Sequence, residues 1–275
     1  MTDKIIKISG SVIQHGKISD RIYLMKATDT VNTQFIEKLD NLAETQGYGK
    51  CFAKIKECSA DLFVQKGFAV EASIPRFFAD QEGCFFLGKF YNPRRKIEPK
   101  KSEYEKIVAI SRAKETERET KFADSVKLLQ EKDSGKIAEL YRGVFTSYPF
   151  PIFDEGYIRK TMNENFVYFG CLNSKGELVA VASSEMDVSE GNAEMTDFAV
   201  LPQERGRDYA LTILQKMEKE MKKRKIRLLF TIARADSYSM NITFAKAGYG
   251  FSGRLVNNTQ IAGRIMSMNV WHKEI

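Results

Sequence analysis

Between Ala193 and Ala233 the chain reads AEMTDFAVLPQERGRDYALTILQKMEKEMKKRKIRLLFTIA, and this stretch limits the fold more than any other. Ala193–Leu201 has the make-up of a strand. A polar loop containing Gly206 follows. The helix expected over Ala210–Lys223 then places Leu211, Leu214, Met217 and Met221 at helical spacing, with Lys and Glu between them. The apolar run Ile226–Ala233 reads as a buried strand. Strand, loop, helix and strand in that order specify an α/β unit. A loop that enters a helix N-terminus presents unpaired N–H groups and the positive end of the helix. Gly206 permits close backbone approach, and Arg205 and Arg207 add cationic donors. The loop therefore suits a phosphate-bearing ligand. Asp208 is the awkward residue: its carboxylate either repels the phosphate or faces solvent and complements the helix end, an effect of ~0.3–1 kcal/mol.

The rest of the second half continues the α/β reading. Strands are expected over Ser125–Leu129, Phe166–Leu172, Leu178–Met186, Gly250–Asn257 and Ile265–Trp271. Helices are expected over Lys136–Phe145, Tyr157–Asn163 and Tyr238–Ala247. The fold class is α/β (α+β), a mixed central sheet flanked by helices. The first half carries a matching pattern. LFVQKGFAVEASI (Leu62–Ile74) and TFAKAGYGFSGRL (Thr243–Leu255) align on Gly67 and Gly248, each at the end of a short helix before a strand. Between the halves, Arg94–Lys121 holds ten Lys/Arg and six Glu. This charge-rich stretch reads as a linker, helical over Tyr104–Arg112. The chain divides into a module over residues 1–92, a linker over 93–120 and a domain over 121–275.

Composition excludes several chemistries. Only two histidines occur among 275 residues, His15 and His272, and the four cysteines form no CxxC pair. A zinc site or a Cys/Ser–His hydrolase is therefore not expected. No run approaches the ~18 apolar residues of a membrane span, and no signal peptide is visible, so the expected location is the cytoplasm. The net charge of +7 points to an anionic cofactor at least as well as to nucleic acid; neither nucleic acid nor membrane is an expected partner.

The order of elements and the run Val200, Pro202, Arg205, Gly206 resemble the GNAT superfamily of acyl-CoA-dependent N-acetyltransferases, over residues 121 to the end. The resemblance implies acetyl-CoA as cosubstrate and no metal. It implies that the strand 193–201 splays from its parallel neighbour, that Phe198, Ala199 and Val200 offer backbone groups to the pantetheine arm, and that the amides of Arg205, Gly206, Arg207, Asp208, Tyr209 and Ala210 hold the pyrophosphate. Asn241 either bonds the cofactor or simply sits in the first turn of its helix. The tyrosine that usually protonates the leaving thiolate is replaced by Phe244, beside the cofactor; Tyr238, Tyr249 or a water could substitute, and Tyr238 is the candidate taken here. Acetylation needs a neutral amine, and an alkyl ammonium has a pKa near 10.4; a carboxylate, directly or through water, can accept the proton. Glu194, six residues before Val200, matches the family's general-base position. Asp197, three residues on, should face the opposite side of the strand.

DRIYLMK (Asp20–Lys26), VFTSYPFPIFD (Val144–Asp154), AEMTDFAVLP, TIARADSYSMNITFAKAGY (Thr231–Tyr249) and LVNNTQIAGRIMSMNVW (Leu255–Trp271) look like the beta-lysine N-acetyltransferases, over nearly the whole chain. That resemblance implies a small diamino acid acetylated on its ε-amine to make a compatible solute. Tyr148 would belong to the substrate wall, Arg234 would meet the carboxylate, Asp197 the second ammonium, and Asn257 and Asn258 would add hydrogen bonds. The N-terminal half resembles a non-catalytic half-GNAT module that extends the sheet or makes a homodimer contact. The competing readings are an acyl-CoA-binding module without turnover, and acetylation of another amine or of a protein.

Overall fold

The computed structural model describes residues 3–114 and 126–275; Ser125 and the charged stretch 115–121 lie outside the described residues. The first half contains β1 (Lys4–Ile8), β2 (Ser11–Gly16), β3 (Arg21–Lys26), α1 (Thr33–Gln46), β4 (Lys50–Lys56), α2 (Ala60–Gln65), β5 (Ala69–Phe78) and β6 (Glu82–Phe90). Helix α3 (Lys101–Arg112) follows. The second half contains β7 (Val126–Leu128), α4 (Ser134–Val144), α5 (Glu155–Glu164), β8 (Phe166–Leu172), β9 (Leu178–Asp187), β10 (Asn192–Val200), α6 (Tyr209–Lys223), β11 (Leu228–Arg234), α7 (Tyr238–Lys246), β12 (Gly250–Ile261) and β13 (Arg264–Glu274). The mixed sheet flanked by helices is the expected architecture.

Local chemistry sets the boundaries. Asn32 caps α1 by accepting from the Phe35 amide, and Asp154 caps α5 by accepting from Tyr157. The strand expected from Ile226 begins at Leu228, because Lys225 takes a left-handed turn (φ 62°) and the Ile226 amide closes α6 by donating to the Met221 carbonyl. Strand β12 runs past Asn257 to Ile261 through an irregularity in its register with β13 between Leu255 and Thr259.

Among the described residues all strands join one 13-stranded sheet in the order β1-β2-β3-β4-β6-β5-β12-β13-β11-β10-β9-β8-β7. The order is pseudo-symmetric about the β5/β12 seam. On each side a parallel pair, β3/β4 or β10/β11, is connected through a helix, α1 or α6. The aligned repeats coincide in detail. Gly67 and Gly248 have φ of 87° and 86°. Phe63 packs edge-on against Phe68 with ring centroids 5.1 Å apart, and Phe244 does the same against Tyr249 at 5.1 Å. The seam itself depends on Gly253, opposite Ala72. A Cβ there would stand 2.3 Å from the Glu71 carbonyl oxygen and 2.6 Å from the Ala72 Cα, at φ 147°.

The halves also share a core. Tyr23, Phe52, Phe77 and Phe86 pack with Leu228, Phe230, Met266 and Met268; Phe77 and Phe230 are 5.0 Å apart. The first half thus extends the sheet and curls back over the face that carries Phe230. Among the described residues no helix is long and apolar enough to cross a membrane.

Candidate active site

Strand β10 pairs with β9 along most of its length, but with its parallel neighbour β11 only at Asn192–Leu228, Ala193–Leu229 and Glu194–Phe230. Beyond Glu194 the two strands part. The resulting V leaves the β11-facing backbone of Phe198, Ala199 and Val200 without a β11 partner, which fits an extended amide-bearing chain. At its outer end lies the loop Leu201–Asp208. Gly206 has φ 82° and open space where a Cβ would stand. Arg205 lies back on the Val200 carbonyl at 3.4 Å, and Arg207 pairs with Glu204 at 2.9 Å. Tyr209 and Ala210 open α6.

Asp208 occupies the cap position of α6 in the left-handed region (φ 53°), a conformation that glycine adopts at no steric cost and aspartate tolerates better than most residues. Its side chain caps nothing and is exposed, while its carbonyl accepts from the amide and hydroxyl of Thr212, both at 2.9 Å. The residue's peculiarity is therefore one of backbone shape as much as of charge.

Glu194 and Asp197 lie on one side of β10, contrary to the alternation expected for residues three apart. A bulge explains this. The register with β9 shifts between Thr196 and Ala199, and Asp197 has φ 56°. The turned backbone brings Asp197 beside Thr196, onto Ser183. Its carboxylate accepts from the Tyr148 hydroxyl and the Ser183 hydroxyl, each at 2.6 Å. Asp197 and Tyr148 are thus brought together, but as a bonded pair that pins the Tyr148 loop to the strand. Burial raises the Asp197 pKa, and these hydrogen bonds oppose the rise.

Glu194 stands directly opposite Glu185 of β9. Burial, then the Glu185 charge, push the Glu194 carboxyl up to about 8; Lys54 opposes the shift and Asp197 adds to it. A carboxylate with a pKa near the working pH is suited to accept a proton from an ammonium. Lys54 reaches in from β4 of the first half. Its ammonium lies 5.5 Å from the Phe230 ring centre and 5.8 Å from that of Phe77. Burial works against its charge, but Tyr23, Glu194 and Glu185 hold its pKa above the ordinary lysine range. Tyr23 faces the same group, and burial pushes its hydroxyl up to about 12.

Several residues expected at the site are occupied elsewhere. Asn241 is fully buried and every hydrogen-bonding capacity is used: it donates to the Arg234 and Ser237 carbonyls at 3.0 and 2.7 Å and accepts from Asn269 and Trp271 at 2.8 and 2.9 Å. It is a structural pin with nothing left for a cofactor. Asn257 donates to the Arg95 and Ile97 carbonyls at 2.8 and 2.7 Å, holding the segment before α3, so its amide donors are spent. Arg234 shares the strand face of Phe230, but its guanidinium lies 3.6 Å from Asp236. Phe244 is buried edge-on against Phe198 at 5.5 Å and closes the V from the α7 side. Tyr238 is 41% exposed at the start of α7, whereas Tyr249 is buried beside Glu218 and Lys273. Asn258 is buried, with its side-chain oxygen unpartnered. Among the described residues no group of His, Cys, Asp and Glu could hold a metal ion.

Sequence reading missed Glu185, Lys54 and Tyr23. Each stands among apolar residues of its strand, and nothing in the sequence says what covers it.

The acetyltransferase (GNAT) family model matches residues 136–251. The chain is 38% identical to the beta-lysine N(6)-acetyltransferase of Methanococcus maripaludis over 98% of both chains. It is 31% identical to the N-acetyltransferase YodP of Bacillus subtilis over 99% of both chains. It is 30% identical to the beta-lysine N(6)-acetyltransferase of Methanosarcina mazei, over 85% of this chain and 94% of the relative. With full-length relatives at this identity and a splayed strand pair leading into a glycine loop, the chain belongs to the acetyltransferase (GNAT) family and is an acetyl-CoA-dependent N-acetyltransferase.

Proposed function

We propose that the enzyme transfers the acetyl group of acetyl-CoA to the terminal (N6) amine of beta-lysine. The observation that carries the reading is the Glu194–Glu185 pair at the point where β10 and β11 part. A cationic amine is attracted there, and the carboxylate beside the reacting centre has a pKa of about 8. The names of the full-length relatives supply the choice of amine.

In this mechanism the ammonium gives a proton to Glu194, the freed lone pair attacks the thioester carbonyl, and the new C–N bond forms as the C–S bond breaks. Backbone N–H groups of the parted strand β10 stabilise the oxyanion. Holding amine and thioester together supplies much of the remaining acceleration. Tyr238, at the start of α7, or a water beside it gives a proton to the thiolate and takes up the second proton that the nitrogen loses as the amide forms. The loop amides of Arg205 to Ala210 hold the pyrophosphate, with the Asp208 carboxylate turned to solvent. The product loses one ammonium and becomes a net-neutral zwitterion, as a compatible solute should be. The reaction belongs in the cytoplasm with acetyl-CoA and involves neither nucleic acid nor membrane.

The test is release of free thiol from acetyl-CoA in the presence of beta-lysine, lysine and linear polyamines. Fastest release with beta-lysine is expected. Thermal stabilisation by acetyl-CoA with no thiol release from any of these amines would refute the proposal.

A further inference from the structure

The first half of the chain contains a buried cation without a counter-ion. Arg21 on β3 is 4% exposed. Its two terminal nitrogens donate to neutral oxygens, the Asn258 carbonyl at 3.0 Å and the Gln14 side chain at 3.3 Å. Its Nε has no partner, and among the described residues no carboxylate lies within ion-pair distance of it. The neighbouring buried cations differ: Lys50 pairs with Glu71 at 2.7 Å and Arg95 with Asp20 at 2.7 Å. Burial pushes the Arg21 pKa down to about 10, and the Arg95 charge adds to this. An uncompensated buried charge is costly and a buried donor without an acceptor is rare. Beside it, Asn258 is 1% exposed and its Oδ1 is also unpartnered. The guanidinium with an empty donor thus bonds the backbone of a residue whose side-chain acceptor is also empty.

This place is connected to the candidate active site. The Arg21 guanidinium lies 5.1 Å from the Tyr23 ring centre, and the Tyr23 hydroxyl is in the field of Glu194, Glu185 and Lys54. Gln14, which receives Arg21, also donates to the Pro149 carbonyl at 3.1 Å, next to Tyr148 and its bond to Asp197.

We propose that Arg21 and Asn258 form the receptor for the zwitterionic end of the substrate, Arg21 taking the carboxylate and the Asn258 side-chain oxygen taking the adjacent ammonium. The N-terminal half is then the part that selects a diamino acid over a polyamine. This rests on the proposed function, because it needs an amine that carries a carboxylate at its far end.

The experiment compares three amines: beta-lysine, 1,4-diaminopentane (the same skeleton without the carboxylate) and 6-aminohexanoate (without the second amine). Thiol release is measured for the wild type, Arg21→Gln, Arg21→Lys and Asn258→Ala. Arg21→Gln should lower kcat/KM for beta-lysine about a hundredfold, mainly through KM, and leave 1,4-diaminopentane within about threefold. Arg21→Lys should recover part of the loss. Asn258→Ala should weaken beta-lysine about tenfold without touching 6-aminohexanoate, and it keeps the test open should Arg21→Gln fail to fold. Equal losses on beta-lysine and 1,4-diaminopentane, or none on either, overturn the receptor and leave the acetylation of beta-lysine standing. A wild type that releases no thiol with beta-lysine overturns the proposed function and this inference with it. Calorimetric titration of beta-lysine into the CoA-loaded proteins reads the same contact without turnover; equal affinity of wild type and Arg21→Gln also overturns it.

Discussion

If Glu194 is the base, its environment dictates the pH profile. A carboxyl with a pKa of about 8 is ionised in about one-tenth of free enzyme molecules at pH 7 and in about nine-tenths at pH 9. At saturating acetyl-CoA, kcat/KM for the amine should therefore rise about tenfold across that interval and then level off, because the amine itself titrates only near pH 10.4. Two variants isolate the cause. Glu194→Gln should lower kcat about 10²- to 10⁴-fold and flatten the rising limb. Glu185→Gln removes the like charge directly opposite, so the limb should persist but move to lower pH. Stability must follow the same titration. The folded pKa is raised above the unfolded one, so the favourable contribution of the neutral carboxyl is fully present below about pH 4.5 and is lost as pH rises through about 8. The loss is on the order of a few kcal/mol at most. The melting temperature of Glu194→Gln should consequently fall less between pH 6 and pH 9 than that of the wild type. A limb near pH 8 that survives in Glu194→Gln would refute the assignment, whatever that variant does to the rate.

Three further outcomes follow from named contacts. Asp208→Gly should stabilise the fold by ~1 kcal/mol by relieving a left-handed non-glycine residue and lower the KM for acetyl-CoA; Asp208→Asn, which keeps the backbone preference, separates charge from shape, and an unchanged or higher KM in the glycine variant would show that the carboxylate is no handicap. Asn241→Leu strands the donors of Asn269 and Trp271 and the carbonyls of Arg234 and Ser237, and should cost ~3 kcal/mol or more in a denaturant melt; a loss under ~1 kcal/mol would show that water replaces the amide. Gly253→Ala should loosen the β5/β12 seam by ~2 kcal/mol or more, read as faster proteolysis between the halves while isolated surface loops are unaffected.

Most of the architecture was legible because it follows short-range rules. Leu211, Leu214, Met217 and Met221 alone locate α6 and its buried face, and Gly67 and Gly248 alone locate two helix ends. At the candidate site, chain position alone pointed to Glu194 and Gly206. Asp197 went astray because the period-two rule presumes regular backbone, and one left-handed residue reverses it. Asn241 and Asn257 looked like ligands because an amide in sequence carries no sign of its partners. Those partners arrive from Trp271 and Asn269 in one case, and from Arg95 and Ile97 in the other. Arg21 and Lys54 were invisible for the opposite reason. A cation alternating with apolar residues on a strand reads as solvent-facing until a second layer folds over it.

That second layer is what distinguishes the two pseudo-equivalent halves. Each builds a parallel strand pair joined through a helix, then a short helix, a left-handed glycine and a strand with an edge-on aromatic pair beneath it. In the first half β3 and β4 stay paired from Arg21–Lys50 to Leu24–Ala53, and the connection to α1, Ala27 to Asn32, has no glycine. In the second half the pairing stops after three residues and the connection contains Gly206. After pairing ends, β10 runs six residues further, to Val200, whereas β3 runs only two, to Lys26, so the longer unpaired edge lies in the second half. The first half also lies against the second as a wall. Its face carries Arg21, Tyr23, Phe52 and Lys54 and is laid against Phe230 and the carboxylates beside it by the shared aromatic core. Under the proposed function, one half binds the acyl donor while the other presents charge to the acceptor. On this division of labour, loosening the seam at Gly253 should impair recognition of the amine more than binding of acetyl-CoA.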